Sequence, residues 1–373
     1  VVGILQAYQS NQSVFAATPN FLFEQIRDTA AMRFAVQKVA IDENFAEKAA
    51  IIDAESDRYI SVKAQINNAS VGVETGREAA DKIRAILLDL RTTVAQAGEE
   101  DEDIALRAAQ FDIAFNKIND QADKIGKGFN IVGAINRDDF TPNQVEYRSD
   151  LGIRTTLLQG THIGSDYRIE VNDGTVWIPE LGVDLLQQLS QIQGVQLKTK
   201  TVGNQNISNA ASTRNAVTLI SHDEKKGDIS VQISIDPDAD PKIFNGKLKR
   251  SGIELMPSWY YGGLSTAEGR SRAQKAIDKA EILLTLGEGK IAEAEAKVSS
   301  DTNRIDRDFE RLSGEKTNAR LKQADDVNKL LIEGQQQVQA MQINLENLSI
   351  QQENYVNAFA GFVTSPFTWD LLV

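Results

Sequence analysis

Few residues of this 373-residue chain could do chemistry, and their spacing does not bring them together. Histidine is the usual proton carrier near neutral pH. The two present, His162 and His222, each stand alone in Gly- and Asp-rich stretches. Cysteine is absent, which removes disulfides, thiolate nucleophiles, thiolate zinc sites and iron–sulfur clusters. The loop Asp236-Pro237-Asp238-Ala239-Asp240-Pro241 could offer carboxylates to calcium, but it lacks the glycine and the bidentate glutamate of an EF-hand. It reads as an acidic turn closing a strand. Gly126-Lys127-Gly128 has neither the GK[ST] ending nor the preceding strand of a phosphate loop, and no nucleophile-elbow pattern occurs. The expectation is a chain that is not an enzyme, with no catalytic residue, no cofactor and no metal site.

The charge balance narrows the partners. A net charge of −13 and a pI near 4.8 oppose a phosphate-backbone ligand, so no nucleic-acid partner is expected. No apolar run reaches the ~18–20 residues of a membrane span, so no integral membrane segment is expected. The opening Val1-Val2-Gly3-Ile4-Leu5 has no basic flank, and no secretory signal peptide is read there.

The elements that would carry these residues divide by composition into helix, mixed, helix. From about Phe21 to Ile131 the chain is rich in Ala, Asp, Glu, Lys and Ile. Apolar residues alternate four and three apart, the mark of a coiled-coil seam. Tyr59, Val62, Ile66, Ala69 and Val73 form one seam, and Ile83, Leu87, Leu90, Val94 and Ala97 another. Beyond the acidic run Glu99–Asp103, a third runs Ile104, Ala108, Phe111, Phe115, Ile118, Ala122, Ile125. The acidic run reads as the solvated tip of an antiparallel helical hairpin.

The last part carries Ile291, Val298, Ile305 and Leu312 at seven-residue steps, with Asp301 and Asp308 between them. Its best seam is Val327, Leu331, Gly334, Val338, Met341, Leu345, Leu348, Gln352, Tyr355, Phe359, Phe362. The facing N-terminal stretch reads as less regular, broken at Pro19 and Arg33.

The middle reads as β structure. Tyr167–Val171, the turn Asn172–Thr175 and Val176–Ile178 predict a hairpin. Asp228–Ile235 predicts a half-buried strand, and Val183–Ile192 a short helix. The fold class is therefore mainly α: long antiparallel coiled-coil helices from both chain ends plus a central β-rich (α+β) insert domain.

Both ends are apolar. Phe15, Phe21 and Phe23 cluster near the start, and Phe359, Phe362, Phe367 and Trp369 near the end. Soluble monomers rarely expose that much contiguous apolar surface. Either the ends pack on each other within one molecule or they form a core between subunits.

Three stretches resemble the N-terminal conserved region of bacterial flagellins: Asn68–Ile83, Ile86–Ala97 and Phe115–Val132, the last ending in a Phe129-Asn130 turn. Arg320–Val327 echoes a C-terminal motif of that family. The resemblance implies a structural subunit that self-assembles into an extracellular helical filament. Its partners would be identical subunits, with an export chaperone beforehand. It also implies layers: an inner-core helix at 1–45, a rod hairpin at 46–136, a β-rich outer domain at 137–263, a rod helix at 264–320, and an inner-core helix with apolar tail at 321–373. Polymer packing would fall on Phe15, Phe21, Phe23, Val327, Leu331, Val338, Met341, Leu345, Leu348, Tyr355, Phe359 and Phe362. The aromatic tail leaves room for a hook–filament junction protein of the same family. A secreted interaction protein, a translocator or adhesin with apolar ends, is the reading from another class.

Overall fold

The computed structural model describes residues 2–98, 103–136, 141–180, 184–189, 207–214, 216–236, 238 and 240–363, without the side chains at 2–20, 135–136, 207–209 and 359–363. Two long helices dominate, α1 (Val2–Gln96) and α3 (Ala267–Val363), with a shorter α2 (Ile104–Ala122) between them in sequence. Two compact units result. The central unit is Arg58–Arg307; the terminal unit joins the residues up to Asp57 with those from Asp308.

In the central unit α1 and α3 run antiparallel. Arg77, Arg84 and Arg91 climb α1 by sevens while their ion-pair partners Glu295, Glu288 and Glu281 descend α3 by sevens. Nearer the chain ends Lys63 pairs with Asp306 at 2.6 Å, in the same antiparallel sense but shifted by three residues from that series. Each exposed pair contributes only about 0.2–1 kcal/mol, so the ladder fixes register more than it supplies stability. Stability comes from the seam. Val62, Ile66, Val73, Ile83, Leu87 and Leu90 of α1 are buried, as are Ile277, Leu284, Ile291, Val298 and Ile305 of α3. Ala108, Phe111, Phe115, Ile118 and Ala122 of α2 are buried as well. Ile125 is not: α2 ends at Ala122, and Ile125 lies exposed beyond it. The N-cap of α2 is Asp103, whose carbonyl accepts the Arg107 N–H at 2.9 Å.

After α2 the backbone closes a tight turn, with Gly126 and Phe129 exchanging N–H···O=C bonds. This turn presses on α1. A Cβ at Gly126 would fall 2.3 Å from the Thr75 Oγ1, so only glycine fits there.

Eleven strands follow among the described residues. β1 (Ala134–Asn136) and β2 (Thr141–Pro142) form a small pair, and β3 (Gln144–Arg148) and β4 (Thr155–Gln159) a hairpin. The others are β5 (Ser165–Val171), β6 (Val176–Glu180), β7 (Leu185–Leu189), β8 (Ile207–Ser212), β9 (Val217–Asp223), β10 (Asp228–Ile233) and β11 (Lys242–Gly252). They make one antiparallel sheet in the order β8-β7-β6-β5-β11-β10-β9. Its edge strands, β8 and β9, are consecutive in the chain and separated only by residues 213–216. So short a link reaches no more than about 3.6 Å per residue. The two edges must approach, and the sheet curls into a half-barrel.

The β5–β6 hairpin stands where the sequence places it, with Ile169 opposite Trp177 and Gly174 at φ +87 in its turn. Where a helix is expected over Val183–Ile192, the described residues hold a strand: Leu185–Leu189 is β7, paired with β6 and β8. Leu185, Leu186 and Leu189 match a helical stripe as well as a buried strand, and strand pairing on both sides decides between them.

In the terminal unit α1 passes positions 19 and 33 without interruption. Its seam continues as Phe23, Ile26, Ala30, Phe34, Ile41 and Phe45, all half-buried, while Arg33 lies exposed beside it. Register against α3 is again antiparallel: Lys316 Nζ donates to Asp53 at 2.6 Å and Gln323 Nε2 to Asp42 at 2.8 Å. No residue of α1 between 21 and 57 is fully buried.

Candidate assembly surfaces

The residues singled out for packing lie in the terminal unit. Phe23, Val327, Val338 and Leu345 are half-buried. Phe21, Leu331, Met341, Leu348 and Tyr355 are exposed. The half-buried line on α3 runs through Leu330 and Gly334 instead of Leu331. The side chains of Phe15, Phe359 and Phe362 lie outside the described residues. Beside this seam, Leu22, Ile26, Ala30, Val338 and Met341 line a cavity of about 250 Å³.

A second stripe escaped the reading of the sequence. Phe21, Met32, Val36 and Val39 are 67, 64, 70 and 53% exposed. At about 100° per residue they share one face, within roughly 60° of each other and opposite Phe23, Ala30, Phe34 and Ile41. Asp28 lies among them, and Glu43 and Glu47 continue the same face beyond Val39. On α3, Leu321, Ile332 and Ile343 are exposed at eleven-residue steps, opposite Gly334, Val338 and Leu345. An eleven-residue step keeps one face of a nearly straight helix. That spacing was the available signal, masked by the stronger heptad.

A different surface stands on the central unit. The β3–β4 hairpin lies on the paired helices, held by a buried carboxylate. Asp301 accepts hydrogen bonds from Tyr147 Oη at 2.9 Å and Thr156 Oγ1 at 2.7 Å, and pairs with Arg304 at 3.1 Å. Burial and the adjacent carboxylate push the Tyr147 hydroxyl well above its ordinary range, which keeps it a donor. Asp301 looked like a flaw in the heptad; it is the anchor of the hairpin. At the connecting turn, the Arg148 guanidinium donates to the carbonyls of Asp150, Leu151 and Gly152. Arg58 donates to Leu151 O and Arg304 to Ser149 O.

The groups weighed for chemistry have structural partners. His162 Nδ1 lies 2.6 Å from Ser251 Oγ. His222 Nδ1 lies 2.5 Å from the Tyr260 hydroxyl, with the rings edge to face. Burial first, then the Arg250 charge, lowers the His222 pKa and disfavours the charged ring. In the Asp236 loop the Asp238 N–H donates to Asp236 Oδ1, closing a turn; positions 237 and 239 lie outside the described residues. Among the described residues no three His, Asp or Glu side chains gather to hold a metal. The buried Asp112 of α2 accepts the N–H and the hydroxyl of Ser258, both at 2.7 Å, and burial raises its pKa. These contacts tie α2 to the 3₁₀ turn Ser258–Leu264, whose Gly262 and Gly263 take left-handed φ values. No helix among the described residues is long and apolar enough to cross a membrane.

No protein-family profile matches the chain, and no curated protein sequence matches it. Among solved structures, FlgL of Xanthomonas campestris aligns at 8% identity over 75% of this chain and 99% of that one, with a TM-score of 0.34. Flagellar hook associated protein-3 of Legionella pneumophila aligns at 12% identity over 77% of this chain and 98% of that one, with a TM-score of 0.35. The functional reading therefore rests on the surfaces of the chain itself.

Proposed function

We propose that the chain is a structural subunit that self-assembles, flagellin-like, into an extracellular helical filament through the helices of its two ends. The exposed stripe Phe21, Met32, Val36, Val39 carries this reading. A helix apolar on two opposite faces satisfies one against its own partner and needs a second partner for the other. Identical subunits supply that partner at every position along a polymer. Burying four such side chains at roughly 1.5–3 kcal/mol each outweighs much of the cost of association. In this reading 1–45 and 321–373 form the inner layer, 46–136 and 264–320 the rod, and 137–263 the outer face. An export chaperone would cover the terminal helices beforehand.

Electron microscopy of the purified chain tests the proposal against two variants, one truncated after Gln323 and one carrying Val36→Asp. The expectation is long filaments from the parent chain alone. Long filaments from the truncated chain refute the assignment of the end helices. Short stacks or rings from the parent point to a junction protein instead.

A further inference from the structure

The turn of the β3–β4 hairpin ends in Ile153, which is 98% exposed. Covering an isoleucine held so far into water gains about 1.5–3 kcal/mol. This one is not on a loose loop. Arg148 bonds three carbonyls of the turn, and Arg58 and Arg304 bind it from both helices. The turn is thus a rigid knob, with the exposed Arg154 beside its apolar tip.

The opposite face of the same helix pair carries a groove of about 350 Å³. Val73 and Val298, both nearly fully buried, lie at its base, Ser70 and Ser299 line it, Glu74 adds negative charge, and Arg77 pairs with Glu295 at 3.4 Å on its wall. The helical positions establish that the two features lie back to back. The hairpin meets Arg58 and Gln65 of α1 and Asp301 and Arg304 of α3, on one side of the buried seam. Ser70 and Glu74, with Ser299 and Asn303, fall on the other side at about 100° per residue.

We infer that Ile153 of one copy seats in the Val73–Val298 groove of the next, with Arg154 facing Glu74. The occupant is a second copy of this chain. The groove has buried valines at its base and a net negative lining, Glu74 beside the Arg77–Glu295 pair, and the knob has an apolar tip beside a positive charge. A knob and a groove on opposite faces cannot satisfy each other within one molecule, nor in a closed two-fold pair. They form a head-to-tail contact that repeats from copy to copy. This contact rests on the filament reading but uses neither terminal helix, so it is a separate interface between central units.

The absence of cysteine permits a direct test. The full-length chain carrying Ile153→Cys with Ser299→Cys, and a second version with Ile153→Cys and Ser70→Cys, are oxidised after assembly. Denaturing gels then read covalent ladders, and sedimentation reads polymer. The expected result is a ladder from at least one pair, none from Ile153→Cys alone, and a critical concentration raised about tenfold or more by Ile153→Asp. Polymer that sediments without a ladder from either pair overturns the contact and leaves the filament reading standing. A dimer from Ile153→Cys alone shows a symmetric contact and overturns the head-to-tail arrangement. A parent chain that never sediments overturns both.

Discussion

Replacing Asp301 with alanine removes one acceptor from three donors. Two of them, the Tyr147 and Thr156 hydroxyls, share Oδ2 at 2.9 and 2.7 Å, and Tyr147 is almost fully buried. Orphaning a buried hydroxyl costs about 1–3 kcal/mol, and bonds to a charged acceptor are worth roughly 1.5–3 kcal/mol each. Arg304 adds little, since it is partly exposed and keeps its bond to Ser149 O. Asp301→Ala should therefore cost about 3–5 kcal/mol, and Tyr147→Phe about 1–2 kcal/mol. In the double variant no hydroxyl remains at 147 to be orphaned, so the two costs should fall short of additivity by about 1.5 kcal/mol. Urea unfolding followed by tryptophan fluorescence measures the cycle. Trp177 and Trp259 both lie in the central unit, and a Trp369→Phe background confines the signal to them. Additivity within about 0.5 kcal/mol would refute the claim that this carboxylate holds the hairpin.

Asp112→Ala should cost about 2–4 kcal/mol, because the Ser258 N–H and hydroxyl lose their buried acceptor. Asp112→Asn should cost about 1 kcal/mol or less, since the amide keeps an acceptor for the N–H and sheds a charge that burial disfavours; equal losses in urea melts would refute this. His222 has a folded pKa below its ordinary 6.5. Well above pH 6.5 neither state holds a proton there. As pH falls below 6.5 the unfolded chain takes up a proton that the folded one resists, so stability should drop. His222→Asn should flatten that part of the stability profile between pH 7 and 5, and identical slopes would contradict the assignment.

Much of the architecture was legible because burial on one face leaves a period. The seams at Tyr59–Val73, Ile83–Ala97 and Ala108–Ala122 are buried where the heptad predicts. The Tyr167–Ile178 hairpin announced itself through its Asn-Asp-Gly turn, and β10 through alternation. What failed was decided by partners distant in sequence. Leu185–Leu189 reads as helix until β6 and β8 flank it. Ile125 fits the heptad, yet the Gly126 turn against Thr75 ends the helix first. Asp301 reads as a defect until Tyr147, far away in sequence, supplies its donor. The outer stripe at Phe21–Val39 was hidden for another reason: two superimposed periods on one helix obscure each other in a linear sequence.

The antiparallel register also orders the folding of the chain in time. Asp53 and Lys316 are 263 positions apart, and Asp42 and Gln323 are 281 apart. Closing a loop of that size from the open chain costs roughly 5 kcal/mol in entropy before any contact repays it. Once Lys63 has found Asp306, the effective loop to Asp53 and Lys316 shrinks to about twenty residues, and the cost falls below about 3 kcal/mol. Pairing should therefore zip from the central unit outward, and the termini should be the last part of each molecule to close. Until the part of α3 beyond Asp308 has been synthesised, the part of α1 up to Asp57 lacks the helix it pairs with.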